Sequence, residues 1–150
     1  MPDDPASSAA SLGTLRRALH LLLIAGMTGT AAELLLLGHT EDVWQLIPLG
    51  LFALAGGLLA WLAVAPSRGG VRALQAVMVL FLVSGALGVV LHSKGNREFA
   101  LETEPALGGW HLFAEMMTGA FPALAPGTMV LLGAIGLLFT WRHPSLASDG

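Results

Sequence analysis

ELLLLGHTEDVWQLIP, residues 33–48, decides how this chain folds. It closes one apolar run, passes through a polar segment at 38–42, and opens a second apolar run. Gly38 suits a helix C-terminus, because the residue that follows the last turn of a helix is often a glycine in the left-handed conformation. The stretch therefore predicts two apolar helices that are joined by a short polar turn and run in opposite directions.

The composition of the whole chain predicts that these helices lie in a membrane. Hydrophobic residues make up 55% of the 150 residues and charged residues only 11%, whereas a soluble domain has about 25% charged residues. A soluble core of this size could not hide so much apolar surface, so lipid is the expected environment. The chain has no cysteine, which excludes disulfides, thiolate metal sites and thiol catalysis. The net charge of -3 and the lack of a basic run argue against a nucleic-acid partner.

The uncharged stretches predict an all-α fold, namely an integral membrane four-helix transmembrane bundle. At about 1.5 Å per residue, each stretch is long enough to cross most of a hydrocarbon core of about 30 Å. Trp44 and Trp61 lie near the two ends of the second stretch, as is typical of membrane interfaces. The predicted spans are residues 15–37, 43–65, 71–92 and 123–141.

The N-terminal part has an alternative interpretation as a cleaved signal peptide covering residues 1–32. Arg16 and Arg17 would precede its apolar region, and small residues at 30–32 would precede the cut. The apolar region is long for a signal, and the four leucines at 34–37 would be left without a role. The membrane span is therefore favoured.

The basic residues predict the orientation in the membrane. The positive-inside rule places the side with more lysine and arginine in the cytoplasm. The tails, residues 1–14 (predicted to be disordered) and 143–150, are then both cytoplasmic, and the connections 38–42 and 93–120 lie outside. In a bacterium this is a multi-pass protein of the inner membrane with acidic periplasmic loops. One side carries Arg16, Arg17, Arg68, Arg72 and Arg142, and the other carries Lys94 and Arg97.

Residues 109–119, in the connection between the third and fourth spans, predict a short amphipathic helix that lies in the membrane interface. At about 100° per residue, its large apolar side chains gather on one face, with polar side chains beside them. The apolar face consists of Trp110, Phe113, Ala114, Met117 and Phe121, and the polar residues are His111, Glu115 and Thr118.

Glu33 and His92 are predicted to meet inside the bundle. A carboxylate near the hydrocarbon edge is costly and usually faces other helices. Small residues precede both positions at helical spacing, and such stripes mark packing faces. We therefore predict that the first and third spans pack together, with a structural Glu33–His92 hydrogen bond as the favoured role of the pair. The stripes are Gly26, Gly29 and Thr30 in the first span, and Ser84, Gly85 and Gly88 in the third.

The outer side also holds further nitrogen and oxygen donors, which suggest a metal site as a second hypothesis. Imidazole with carboxylate suits divalent transition metals such as zinc or copper. No HExxH motif or other fixed ligand spacing is present, so solvated loop charge is the simpler explanation. The candidate ligands are Glu33, His39, Glu41, Asp42, His92, His111 and Glu115.

Two functions follow from these patterns. The leading one is a non-enzymatic accessory or packing subunit that associates with itself or with another membrane protein through small-residue faces. No GxSxG, SxxK or phosphate-binding loop favours an enzyme. The alternative is a cation- or metal-binding membrane protein with its site at the outer face. A proton path through Glu33 is less favoured, because the second and fourth spans offer almost no polar residues beyond Gln45 and Thr128.

Overall fold

The structure is a computed structural model that describes residues 5–147. These residues form six α-helices and no β-strand. Three of the helices, α1, α2 and α3, are long and apolar enough to cross a membrane, whereas α5 has 14 residues. The helices are α1 Pro5–Leu36, α2 Val43–Val64, α3 Arg68–Thr103, α4 Gly109–Thr118, α5 Gly127–Thr140 and α6 Pro144–Ala147.

Four helices close into a ring in which α1 and α3 each pack against α2 and α5. Neighbours run in opposite directions, because Gly26 of α1 approaches Leu132 of α5 while Arg16 reaches the end of α5 at Trp141. α1 and α3 are therefore diagonal in the ring. The predicted packing of the first span against the third is wrong, because α5 occupies the place beside the small-residue stripe of α3.

Large apolar side chains fill the inside of the ring and also cover its outside. Phe52 and Phe81 meet edge to face in the interior, with ring centroids 5.3 Å apart. On the outside, Leu21, Val64 and Leu131 are among many exposed apolar side chains. A soluble helix normally carries polar residues on its outer face, so helices that are apolar all round fit a lipid environment. The buried core is Leu23, Met27, Phe52, Ala55, Leu59, Leu62, Val71, Leu74, Val77, Met78, Phe81, Met129, Leu132 and Phe139.

Glycines bring α3 and α5 close together. A methyl group added at Gly85 would lie 2.8 Å from the carbonyl oxygen of Pro126, and one at Gly133 would lie 2.8 Å from that of Met78. Both distances are shorter than a carbon atom tolerates, and the obstacle is backbone that cannot rotate away. The small-residue stripe of α3 therefore serves packing within the chain, against α5.

Both α1 and α3 extend beyond their predicted ends. Residues 5–14, predicted to be disordered, form the first turns of α1, and residues 1–4 lie outside the described residues. α3 continues past His92 to Thr103 because this segment has no proline, and a single glycine costs a helix only about 1 kcal/mol relative to alanine. Pro105 ends the helix, since a residue before proline avoids helical angles; Glu104 has φ -137° and ψ 87°. The charged end of α3 is thus a helix where a loop was predicted.

The turn between α1 and α2 has the predicted construction. Gly38 has a φ of 66°, and the N–H of His39 donates to the carbonyl oxygen of Leu34 at 2.9 Å. This pattern satisfies the free carbonyls at the end of α1 and confirms Gly38 as its terminating glycine. Asp42 then begins α2 by accepting a hydrogen bond from the backbone N–H of Gln45 at 2.9 Å.

The remaining segments lie at the two ends of the ring. α4 confirms the short helix predicted for residues 109–119, and it packs against α3. Part of the predicted C-terminal tail is helical in α6, and residues 148–150 lie outside the described residues. The chain is thus a ring of four antiparallel helices with α4 attached at one end and α6 at the other.

Candidate functional site

His39 and His92 are the two predicted ligand residues that come together, with ring centroids 6.4 Å apart. His39 lies in the turn after α1, and His92 lies on α3. Nδ1 of His92 is 3.2 Å from the carbonyl oxygen of Pro122. When Nδ1 carries the proton it donates this bond, and Nε2 is then left as an acceptor. An imidazole held in this way can offer Nε2 to a proton or a metal ion.

Glu33 is exposed on α1 and is not turned into the ring. Its side chain makes no hydrogen bond or ion pair within residues 5–147, while His92 contacts His39, Phe121 and Pro122. The expected Glu33–His92 hydrogen bond is therefore not formed in the described part of the chain. Two features account for this: α1 and α3 are diagonal, and Glu33 is in the last turn of α1, where water can solvate a carboxylate.

The other predicted ligands cap a helix or lie on the surface. Asp42 caps α2, and the N–H of Glu41 donates to Oε1 of Gln45 at 2.8 Å. His111 and Glu115 are exposed on α4. Across residues 5–147, no three or more histidine, cysteine, aspartate or glutamate side chains form a group that could hold a metal ion.

Asn96 holds together the end of the ring that carries α4, and it is not among the residues predicted from the sequence. Its side chain is 1% exposed. Nδ2 donates to the carbonyl oxygens of Met116 at 3.1 Å and Phe121 at 2.7 Å, and Oδ1 accepts from the N–H of Phe121 at 2.8 Å. Every hydrogen-bonding group of the amide is thus used. Gly119 lets the chain pass, since a methyl group there would lie 3.0 Å from Cγ of Asn96. We call these contacts the Asn96 clamp.

The Asn96 clamp supplies backbone partners where the chain leaves α4 and has not yet entered α5. Backbone N–H and carbonyl groups that lie outside a helix need other hydrogen-bond partners. Asn96 binds the N–H and carbonyl of Phe121, and His92 lies against the carbonyl of Pro122. One signal in the sequence could have revealed Asn96: it lies four residues after His92, on the stripe that holds Gly85 and Gly88.

The opposite end of the ring carries a second polar cluster, around the end of α5. Nη2 of Arg16 donates to the carbonyl oxygens of Arg142 at 3.2 Å and Trp141 at 3.4 Å. A cation at this position satisfies free carbonyls and complements the negative end of the helix dipole. The ring of Phe139 contacts His20 at 5.3 Å and His143 at 5.9 Å between centroids. Arg16 therefore ties α1 to the end of α5.

His143 should titrate below its ordinary range because of this cluster. Burial, and secondly the positive charge of Arg16, lower the pKa of His143 from its usual 6.5. The unfolded chain then binds more protons than the folded chain between the two pKa values, so stability should fall as the pH falls below about 6.5. We expect Arg16→Gln to raise the pKa of His143 in an NMR titration, and Arg17→Gln to leave it unchanged. A pKa at or above 6.5 in the unmodified protein would contradict this account.

No protein-family model matches the chain, and no curated protein or solved structure matches it either.

Proposed function

We propose that the protein is a four-span integral membrane protein that acts as a non-catalytic accessory subunit and associates with itself. The observation that carries this proposal is the apolar outer surface of the ring, combined with an interior that the chain's own side chains fill. In water, exposed Leu21, Val64 and Leu131 would favour aggregation, whereas in lipid they are the ordinary outer surface of a span.

The fourth crossing is made by α5 together with the turns that precede it. α5 alone measures about 21 Å at 1.5 Å per residue. The preceding segment also follows α3, since Pro126 packs beside Gly88 and Phe121 beside Gly95. Contacts thus extend along α3 from Met78 to Asn96, a distance of about 27 Å. That length is close to a hydrocarbon core of about 30 Å, so it supports a fourth crossing.

Charge supports the orientation in which both ends of the chain face the cytoplasm. Within residues 5–147, every acidic side chain lies at the end of the ring that carries the Asn96 clamp. The opposite end carries most of the arginines, as the cytoplasmic side does in the positive-inside rule. The acidic residues are Glu33, Glu41, Asp42, Glu98, Glu102, Glu104 and Glu115, and the arginines are Arg16, Arg17, Arg68, Arg72 and Arg142.

α4 is proposed to lie on the outer membrane surface. Trp110 and Phe113 are largely exposed, and their rings contact each other with centroids 5.2 Å apart. An exposed tryptophan at this level suits the region of the lipid headgroups, where an amphipathic ring is favoured. Because the Asn96 clamp fixes the C-terminal end of α4, the helix would be held against the ring while its aromatic side chains enter the interface.

Self-association is proposed through α2, whose outer face is lined by small residues. Gly50, Ala53, Gly57 and Ala60 are all exposed and fall on one side of the helix. Nothing lies within 4 Å of a methyl group built at Gly50 or Gly57. Small residues on a lipid-facing stripe allow a second helix to approach closely, which is the main attraction between helices in membranes. Gly85 of α3 and Gly133 and Gly136 of α5, in contrast, are buried and already covered within the chain.

A substitution that fills this stripe tests the proposal. Ala53→Leu with Ala60→Leu should convert a detergent-solubilised dimer or larger oligomer to a monomer, measured by light scattering coupled to chromatography. Ala86→Leu is the matched control, because Ala86 is also exposed but lies on α3; it should leave the oligomer intact. An unmodified protein that is strictly monomeric in mild detergent and in bilayer discs would overturn the self-association.

A metal-binding function is the second candidate, and the His39–His92 pair is what favours it. Two imidazoles 6.4 Å apart, one with Nδ1 against a carbonyl oxygen, could share a divalent transition metal with water as the further ligand. The pair belongs to the turn after α1 and to α3, so a bound ion would also link these two segments. Of the seven ligands predicted from the sequence, the proposed metal site uses only His39 and His92, because these two side chains lie together.

Metal analysis of protein prepared without a histidine tag tests this candidate. We expect one zinc or copper ion per chain and its loss in both His39→Ala and His92→Ala. His39→Ala is the cleaner variant, since it leaves the contact between His92 and Pro122 in place. His20→Ala is the control, because His20 lies at the other end of the ring beside Phe139. Absence of stoichiometric metal, or an unchanged content in His39→Ala, would end this candidate.

A further inference from the structure

The end of the ring opposite the Asn96 clamp contains an open cleft between α1 and α5, with a volume of about 460 Å³. Positions 13, 16, 17, 20 and 21 fall on one face of α1 because they are separated by three or four residues. This face supplies most of the wall, and one aromatic side chain of α5 completes it. The lining residues are Gly13, Arg16, Arg17, His20, Leu21 and Phe139.

Positive charge in this cleft is not neutralised by the rest of the described chain. Nη2 of Arg16 donates to two carbonyl oxygens. Because a guanidinium has five N–H donors, the other donors of Arg16 can bind an anion. Arg17 is exposed and makes no hydrogen bond or ion pair within residues 5–147. Every acidic side chain in that part of the chain lies at the opposite end of the ring. Among residues 5–147, an anion in the cleft would therefore meet two arginines and no competing carboxylate.

The cleft has a cationic part followed by an apolar part, which is the order of the headgroup and the acyl chains in a lipid molecule. Arg16 and Arg17 come first along α1 and lie at the edge of its apolar run. Leu21 lies one turn deeper, where it is 67% exposed, and Phe139 faces the same cleft from α5. Cations at headgroup level above an apolar wall, of which Leu21 is the exposed part, match a phosphate that carries acyl chains. Free phosphate would make no favourable contact with the apolar part of the cleft.

We propose that this cleft binds the headgroup phosphate of an anionic phospholipid from the cytoplasmic leaflet. The proposal depends on the membrane-spanning function argued above. Arginine suits the role because its planar N–H fork binds phosphate oxygens in pairs. The acyl chains then lie along Leu21 and Phe139, and the lipid covers the seam between α1 and α5.

Lipid binding by the full-length protein in detergent, followed by native mass spectrometry, tests the proposal. Phosphatidylglycerol should bind more tightly than phosphatidylcholine of the same acyl chains, and Arg17→Gln should weaken phosphatidylglycerol binding about fivefold. Arg72→Gln is the matched control: it removes the same charge from an exposed site on α3, outside the cleft. It should change binding less than twofold. Arg17→Glu and Arg72→Glu repeat the comparison with a reversed charge.

Three results would overturn the proposal. Equal affinity for phosphatidylglycerol and phosphatidylcholine would mean that the cleft is an apolar groove that does not select anionic lipids. If Arg17→Gln and Arg72→Gln weakened phosphatidylglycerol binding equally, the binding would be due to the general positive charge of this end and not to the cleft. Binding of inorganic phosphate as tight as that of phosphatidylglycerol would assign the cleft to a soluble anion. Membrane insertion is measured separately by resistance to carbonate extraction. A protein that resists extraction but shows no lipid preference therefore disproves this inference alone.

Discussion

Gly85→Leu is expected to lower the free energy of unfolding by at least about 3 kcal/mol, because it forces a side chain into a backbone contact between α3 and α5. A first carbon at this position would lie 2.8 Å from the carbonyl oxygen of Pro126 and 2.8 Å from the N of Val130. Both are backbone atoms, so relief requires α5 to move away from α3. That movement would also separate Gly133 from Met78, further along the same contact.

Unfolding by sodium dodecyl sulfate in mixed micelles, followed by circular dichroism, measures this effect. Gly29→Leu is the matched control: it makes the same substitution in α1, where nothing lies within 4 Å of the new carbon. Leucine is the better helix former by about 1 kcal/mol, so the control should be neutral or slightly stabilising. Equal behaviour of the two variants would mean that α3 and α5 are not in close contact.

Asn96→Leu is expected to cost about 3 kcal/mol and to free the segment between α4 and α5. Leucine has a similar size, but it leaves the N–H and carbonyl of Phe121 and the carbonyl of Met116 without the partner that Asn96 supplies. A buried polar group that loses its partner costs about 1–3 kcal/mol, so three such groups outweigh the gain from an apolar side chain. The loss of stability should be largest at the end of the ring that carries α4.

Hydrogen exchange resolves where the stability is lost. Amides of residues 109–126 should exchange faster in Asn96→Leu, while those in the middle of α2 and α3 should remain protected. Ser93→Ala is the control, because the Ser93 hydroxyl donates only to Val89 in its own helix. It should alter exchange little. Faster exchange throughout the ring would contradict this prediction, since it would show that the Asn96 clamp stabilises the whole bundle and not only residues 109–126.

The sequence predicted the positions of the helices better than it predicted which helices pack against each other. The apolar runs, the glycine at 38 and the amphipathic pattern at 109–119 are local features, and the first three runs, the glycine and the amphipathic pattern have their expected helix or turn. The fourth run, predicted as a span over 123–141, forms the shorter helix α5. The choice of partner is not local: small residues on α3 indicate that something packs closely, and either α1 or α5 could fill that place. Gly26 and Gly88 both face the α5 segment, at Leu132 and Pro126, which removed the basis for pairing α1 with α3.

The end of the ring that carries α4 was the hardest region to predict from the sequence. Charged and imidazole side chains drew attention there, whereas the most constrained residue is the neutral Asn96. Its importance comes from two backbone groups of Phe121, 25 residues away, and no residue pattern marks such groups. Glu33, in contrast, was predicted to be buried because it follows a stripe of small residues, but it lies near the end of α1 and is exposed. Its position at the end of the helix therefore mattered more than the helix face on which it lies.

Single-cysteine labelling from outside the cell tests the central claim, namely four crossings of the membrane with both ends on one side. The chain has no cysteine of its own, so each introduced thiol reports alone. With a membrane-impermeant maleimide on intact cells, cysteine at Thr40 or Ala106 should react, and cysteine at Ser11, Gly69 or Ala147 should react only after permeabilisation. Labelling of the Ser11 and Ala147 positions from opposite sides would mean three crossings and would contradict the account.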